Sequence, residues 1–182
     1  MNAILRVLVG AVWTVDGILK FYSGYAGQFL SQLQGTQQAA PSWLSGWFQF
    51  WVNVTQSSPT TVVYVVGVFE ILIGVALLGG FMRKIAYIGG FVLALMIWAI
   101  PENFGGLYNI TVNTTDIGTG ILYAFAMMGL ILINAAHGPS RYSVDWYIER
   151  RFPGWARIAE YSTPLFGGSA AKPAAEANPP AA

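Results

Sequence analysis

The sequence predicts an all-α integral membrane protein built as a four-helix bundle. Three observations carry that reading. Of 182 residues, 55% are hydrophobic and only 9% are charged, against roughly a quarter charged in soluble domains. Four apolar runs approach the roughly 20 residues needed to cross a hydrocarbon core. In the connecting loops, Lys and Arg fall only on alternate connections, the pattern that orients spanning helices.

The runs are Ile4 to Tyr22, Val62 to Gly80, Ile85 to Ile100 and Ile117 to Ala136. The first has no separate charged region, short apolar core and small-residue cleavage site, so it reads as a retained span. It also holds the least expected residues of the chain. Asp16 and Lys20 lie four apart inside it, in the acid-before-base order that pairs along one helical face. Charges in a spanning helix are disfavoured by a few kcal/mol or more and usually face a bundle interior, a partner or a wet cavity.

The segment from Phe21 to Thr60 is uncharged and is predicted to face outward. Within it, Ser42 is positioned to cap a helix in which Trp43, Leu44, Trp47, Phe48 and Trp51 recur at three- and four-residue spacing. This predicts an interfacial helix, either a membrane-surface anchor or a lid over an opening between spans.

The second run carries Glu70, about 12 Å from its outer end at 1.5 Å per residue. Its Gly67, Gly74, Gly79 and Gly80 offer close helix contact, as do Gly89 and Gly90 in the third run and Gly118, Gly120 and Gly129 in the fourth. A short basic turn, Phe81-Met82-Arg83-Lys84, joins runs two and three. The third run closes on Trp98 and Pro101, and the loop after it holds Glu102 as its one charge before Thr115 or Asp116 caps run four. Arg141, Arg150, Arg151 and Arg157 follow, which places both termini in the cytoplasm. Three glycosylation sequons, at Asn53, Asn109 and Asn113, all fall in the predicted outer loops.

After run four, Gly138 and Pro139 stop the helix, and Ser143 is placed to cap an amphipathic one. Val144, Tyr147, Ile148 and Phe152 form its apolar stripe, with Asp145, Glu149, Arg150 and Arg151 elsewhere. It is expected to lie on the anionic inner leaflet, or to dock a cytoplasmic partner. The Ala- and Pro-rich residues 167–182 are expected to be a disordered tail.

Composition also narrows the chemistry. Cysteine is absent, which removes thiolate catalysis, disulfides and iron–sulfur ligation, and the single histidine, His137, has no partners for a metal site. No metal is expected. No basic stripe suggests nucleic acid.

Leu5-Arg6-Val-Leu-Val-Gly10 followed by Trp13 and Asp16-Gly17-Ile-Leu-Lys20-Phe21 resembles the first helix of the DoxX/DoxD family. Phe69-Glu70-Ile-Leu-Ile-Gly74 with the Arg83-Lys84 turn is similar to its second helix and loop, and Pro101-Glu102-Asn-Phe104-Gly105-Gly106 with Thr115-Asp116-Ile-Gly118 to its outer loop. Gly138-Pro139-Ser-Arg-Tyr-Ser143-Val-Asp145 looks like the end of that domain. The resemblance implies a membrane domain over residues 1–146; the residues after it read as an amphipathic cytoplasmic region over 147–166. It implies a multi-pass protein of a prokaryotic plasma membrane, similar to the large subunit of thiosulfate:quinone oxidoreductase, which works with a small partner subunit to form tetrathionate and reduce quinone.

On that reading Lys20 attracts the thiosulfate dianion, Asp16 and Glu70 exchange protons with quinone, and Trp13, Trp98 and Tyr123 line its ring. Two other readings stand beside it. Asp16, Lys20 and Glu70 can be structural, with Glu70 bonded across to run three or four, in a non-catalytic anchor for a redox complex. A small transporter is the third, disfavoured by the lack of an inverted repeat.

Overall fold

The computed structural model describes residues 2–107, 117–138 and 140–161, and all regular structure among them is helical. The predicted tail, Thr115, Asp116 and the sequons at Asn109 and Asn113 lie outside the described residues. The α-helices are α1 (Asn2–Leu19), α2 (Tyr25–Ala39), α3 (Ser45–Ser57), α4 (Pro59–Gly79), α5 (Arg83–Ala99), α6 (Thr119–His137), α7 (Val144–Arg151) and the one-turn α8 (Ala156–Ala159). Two of them, α4 and α6, are long and apolar enough to cross a membrane. The other two predicted spans form α1 and α5, of 18 and 17 residues.

The frame is two close helix pairs, α1 with α4 and α5 with α6, joined by contacts between α4 and α5 and between α1 and α6. Glycine sets the first pair. Arg6, Gly10, Trp13, Gly17 and Lys20 form the buried stripe of α1, and Val63, Gly67, Glu70, Gly74 and Leu77 that of α4. A Cβ on Gly10 would stand 2.9 Å from the Gly74 carbonyl, and one on Gly17 would stand 2.8 Å from that of Gly67. The two helices therefore run antiparallel with backbones in contact, the use of small residues predicted from sequence. Gly120 does the same between α6 and α5, and the Met127 side chain fills the notch at Gly90. Gly89 and Gly129 face open space.

One end of the frame collects the start of α1, the end of α4, the start of α5, the end of α6 and α7–α8. Gly80 ends α4 with φ 65°, a left-handed cap, and the Arg6 guanidinium occupies the space a side chain there would need. The opposite end is covered by α2 and α3, which pack on each other and on α4. Leu33, Phe48, Val52 and Ile100 form a separate core there.

Sequence reasoning differs from this at three places. Helix α2 is unpredicted, because its glutamine-rich stretch has little apolar periodicity. Helix α3 begins at Ser45, and Leu44 rather than Ser42 holds its cap position; Trp43 precedes the helix and is exposed, while Phe48 and Val52 face inward. Helix α7 has the predicted Ser143 cap, which accepts from the Trp146 amide, but it docks through its charged side: Asp145 is fully buried, whereas Tyr147 and Phe152 are exposed.

Candidate functional site

Long helical side chains lean toward the N-terminus of their own helix. In an antiparallel pair this points Lys20, the residue after α1, toward the end that carries the N-terminus and Glu70 of α4 toward the α2–α3 end, so the two side chains meet. Lys20 Nζ stands 2.6 Å from Glu70 Oε2 and 3.3 Å from Asp16 Oδ2. The close approach at Gly17 and Gly67 brings the Lys20 stem against α4, with its Cβ 3.2 Å from where a Cβ on Gly67 would lie. Glu70 is 1% exposed and the Asp16 side chain 38%. The three residues thus form a chain from the bundle interior to an open space. Glu70 is bonded to α1, a correction to the alternative that joins it to run three or four. Its Oε1 accepts no hydrogen bond among the described residues.

That space is a cavity of about 510 Å³. Asp16, Lys20 and Tyr123 stand on one wall, and α4 and α5 supply apolar walls through Val62, Val66, Leu93, Met96 and Ile97. The roof is α2 and α3, through Tyr25, Phe29, Gln32, Trp51 and Thr55. Of the two expectations for α3, the lid matches this placement, and Thr55 of the Asn53 sequon is buried in it. Lys20 Nζ also lies 5.7 Å over the Tyr25 ring. Gln32 Nε2 donates to the Pro101 carbonyl at 3.0 Å, and Trp47 Nε1 to that of Ala99 at 3.2 Å, which tie the roof to the end of α5.

Glu102 is the group that sequence reasoning left as a loop charge. It lines the cavity, and its Oε2 accepts from the Gly120 amide at 2.8 Å, in the first turn of α6. An acid there complements the positive end of the helix. The signal available in the sequence was its place just after Pro101.

The predicted aromatics divide. Tyr123 lines the cavity. Trp13 is buried beneath it, its ring centroid 6.0 Å from that of Tyr123, with an indole N–H that has no hydrogen-bond partner among the described residues. Trp98 is elsewhere: it donates to the Ile117 carbonyl at 2.8 Å and lines a second hollow with Trp43, Leu44, Phe104 and Leu107.

A second ionic cluster closes the other end. Arg83, read from sequence as a loop charge, is 3% exposed. Its Nε stands 2.9 Å from Asp145 Oδ2, and its guanidinium also meets Glu149, Glu160 and Asn134. Asp145 accepts further bonds from the Met82 and Arg83 amides and from Trp155 Nε1. Burial pushes the Glu160 carboxyl up to about 8 despite Arg83, with Glu149 adding to the rise; Glu149 is raised too, again by burial first. Arg6 donates to the Tyr142 carbonyl at 2.7 Å.

Among the described residues, no group of three or more His, Cys, Asp or Glu is arranged to hold a metal ion. A cavity of this size, apolar with a few convergent polar groups, has the character of a small-molecule site. The DoxX family model matches residues 1–102, the part of the chain that contributes Asp16, Lys20, Glu70 and Glu102. No curated protein and no solved structure matches the chain.

Proposed function

The chain belongs to the DoxX family, a family of membrane proteins, and from that premise we propose that it is the membrane subunit of a quinone-linked oxidoreductase. In this reading α1, α4, α5 and α6 all cross the bilayer, the termini lie in the cytoplasm, and α2–α3 sit at the outer surface. The reaction is oxidation of thiosulfate to tetrathionate with electrons passed to membrane quinone, together with a small partner subunit.

The observation that carries the proposal is the opening of the Asp16–Lys20–Glu70 chain into an apolar cavity. A quinone supplies two-electron, two-proton chemistry when bound. The residues fit it: Val62, Val66, Leu93 and Met96 offer an apolar bed, and Tyr123, Gln32 and Lys20 offer hydrogen bonds to ring oxygens. Lys20 donates a proton toward the cavity, and Glu70 or Asp16, both within ion-pair distance, returns one to it after taking it up from water.

The same geometry alters the role first expected of Lys20. Its single positive charge already faces two carboxylates, and Glu102 adds a third acid to the cavity. Three acids around one ammonium suit a neutral ligand better than a dianion. Thiosulfate is therefore assigned to the partner subunit, and the cavity of this chain to the neutral quinone.

The test is thiosulfate-dependent reduction of a short-chain quinone by membranes containing the chain, with and without candidate partners, alongside assay of quinone carried by the purified protein. Wild type is expected to reduce quinone when its partner is present, and Glu70→Gln and Lys20→Met to lose that activity at normal expression. Absence of both activity and bound quinone would favour the second reading, an anchor for a soluble redox enzyme. That reading rests on the exposed Tyr147, Arg150 and Arg151 of α7 and on Phe152, which follows it.

A further inference from the structure

We infer that the Asp16–Lys20–Glu70 site is served by water and protons from one face only, the face that carries α2 and α3, and that the face carrying the termini is closed to both. The inference concerns access and does not depend on what the cavity holds.

The polar chain ends at Glu70. From there toward the termini, the space between helices is filled by one contiguous core, in which Trp13, Leu77, Tyr87, Met127 and Leu130 are buried and in contact. From Glu70 to Gly80 helix α4 rises about 15 Å, so this layer is several side chains deep. Interiors packed in this way leave few voids that admit water.

Two polar groups on that side, Trp13 and Thr14, are poor proton relays. An indole N–H donates but has no acceptor lone pair, so Trp13 cannot take up a proton on one side and release it on the other. Its N–H has no partner of any kind among the described residues. Thr14 spends its hydroxyl hydrogen on the Gly10 carbonyl at 2.8 Å.

Beyond the apolar layer lie Arg6 and Arg83, both buried. The hollow they share with Asn134 and Tyr87 has a volume of only about 10 Å³, room for a single water. In contrast, the cavity of about 510 Å³ joins Asp16 and Lys20 to Gln32 and Thr119, both exposed at the α2–α3 end. The consequence is a site that exchanges protons with one compartment and conducts none across.

The chain contains no cysteine, so single cysteines report access without background. In sealed vesicles holding the full chain, Gln32→Cys and Arg150→Cys define the two faces by reaction with a membrane-impermeant cationic methanethiosulfonate. Val66→Cys is expected to react only from the Gln32 face, and Leu130→Cys from neither face until the protein is unfolded. Reaction of either from the Arg150 face would overturn the inference, as would failure of Val66→Cys to react from the Gln32 face.

A second arm uses wild type alone. Vesicles with an entrapped pH dye and an imposed potassium diffusion potential are expected to take up protons no faster than lipid vesicles. Faster uptake that Glu70→Gln abolishes overturns the inference. Neither arm measures quinone reduction, so failure here and failure of the oxidoreductase reading are told apart.

Discussion

Lys20, the residue after α1, and Glu70 on α4 stand 2.6 Å apart and are both nearly inaccessible, so neither can lose its partner without leaving a buried ionisable group. Removing one member of a buried pair costs on the order of 3 kcal/mol, whereas replacing both with apolar side chains of similar volume is close to neutral. Lys20→Met is therefore expected to lower thermal stability in detergent strongly, and Lys20→Met with Glu70→Met to recover most of it. Quinone reduction is expected to fall on the order of a hundredfold in the single variant and to stay low in the double. Activity restored along with stability in the double variant would reduce the pair to a structural clamp.

The contact of α1 with α4 makes a second, purely steric prediction. A Cβ on Gly74 would stand 2.7 Å from the Thr14 amide nitrogen and 2.9 Å from the Gly10 carbonyl oxygen. Neither neighbour is a flexible side-chain end. Gly74→Ala should cost about 1–3 kcal/mol through overpacking. Gly129→Ala meets open space on α6 and should be neutral or add about 0.5–1 kcal/mol from helix propensity. Melting of the two variants by circular dichroism separates them, and equal effects would contradict the close approach.

What the sequence discloses here follows from the range of each interaction. Asp16 and Lys20 are four apart on one helix, so their pairing is legible from spacing. Lys20 and Glu70 meet only because two helices pack antiparallel on glycines, and no local pattern encodes that register. The four apolar runs are legible because each is periodic or continuous; α2 is not, since Leu33 is its one fully buried residue. Asp145 was missed for a different reason. Amphipathic reasoning sends the charged face of a helix to solvent, and α7 reverses that because Arg83 and two backbone amides wait for its carboxylate.

Arg83 and Lys84 look equivalent as a basic turn, and the structure separates them. Arg83 is buried against Asp145, while Lys84 is only half-buried and reaches the Arg157 carbonyl at 3.4 Å. Arg83→Met leaves the buried Asp145 carboxylate without its cation and should cost on the order of 3 kcal/mol. Lys84→Met should change stability by less than about 1 kcal/mol. Thermal melts of both variants at one pH, with membrane orientation checked by protease protection, give the comparison; similar losses would return both residues to the role of loop charges.

The pH dependence of the α7–α8 region has a definite sign. Asp145, Glu149 and Glu160 all meet one guanidinium, that of Arg83. A single cation does not compensate one buried and two partly buried carboxylates, and Glu160 holds its proton up to about 8, well above its ordinary 4.5. Between those values the docked segment binds more protons than the released one, so its stability falls as pH rises. The contribution is fully present below about 4.5 and is lost as pH passes about 8. A spin label at Arg157→Cys, on the exposed side of α8, should become more mobile across that upper range. In the Glu160→Gln background the side chain stays neutral at every pH, and the mobility change should flatten. A label that tightens with rising pH would mean that the ionised Glu160 is held by Arg83 more strongly than burial opposes it.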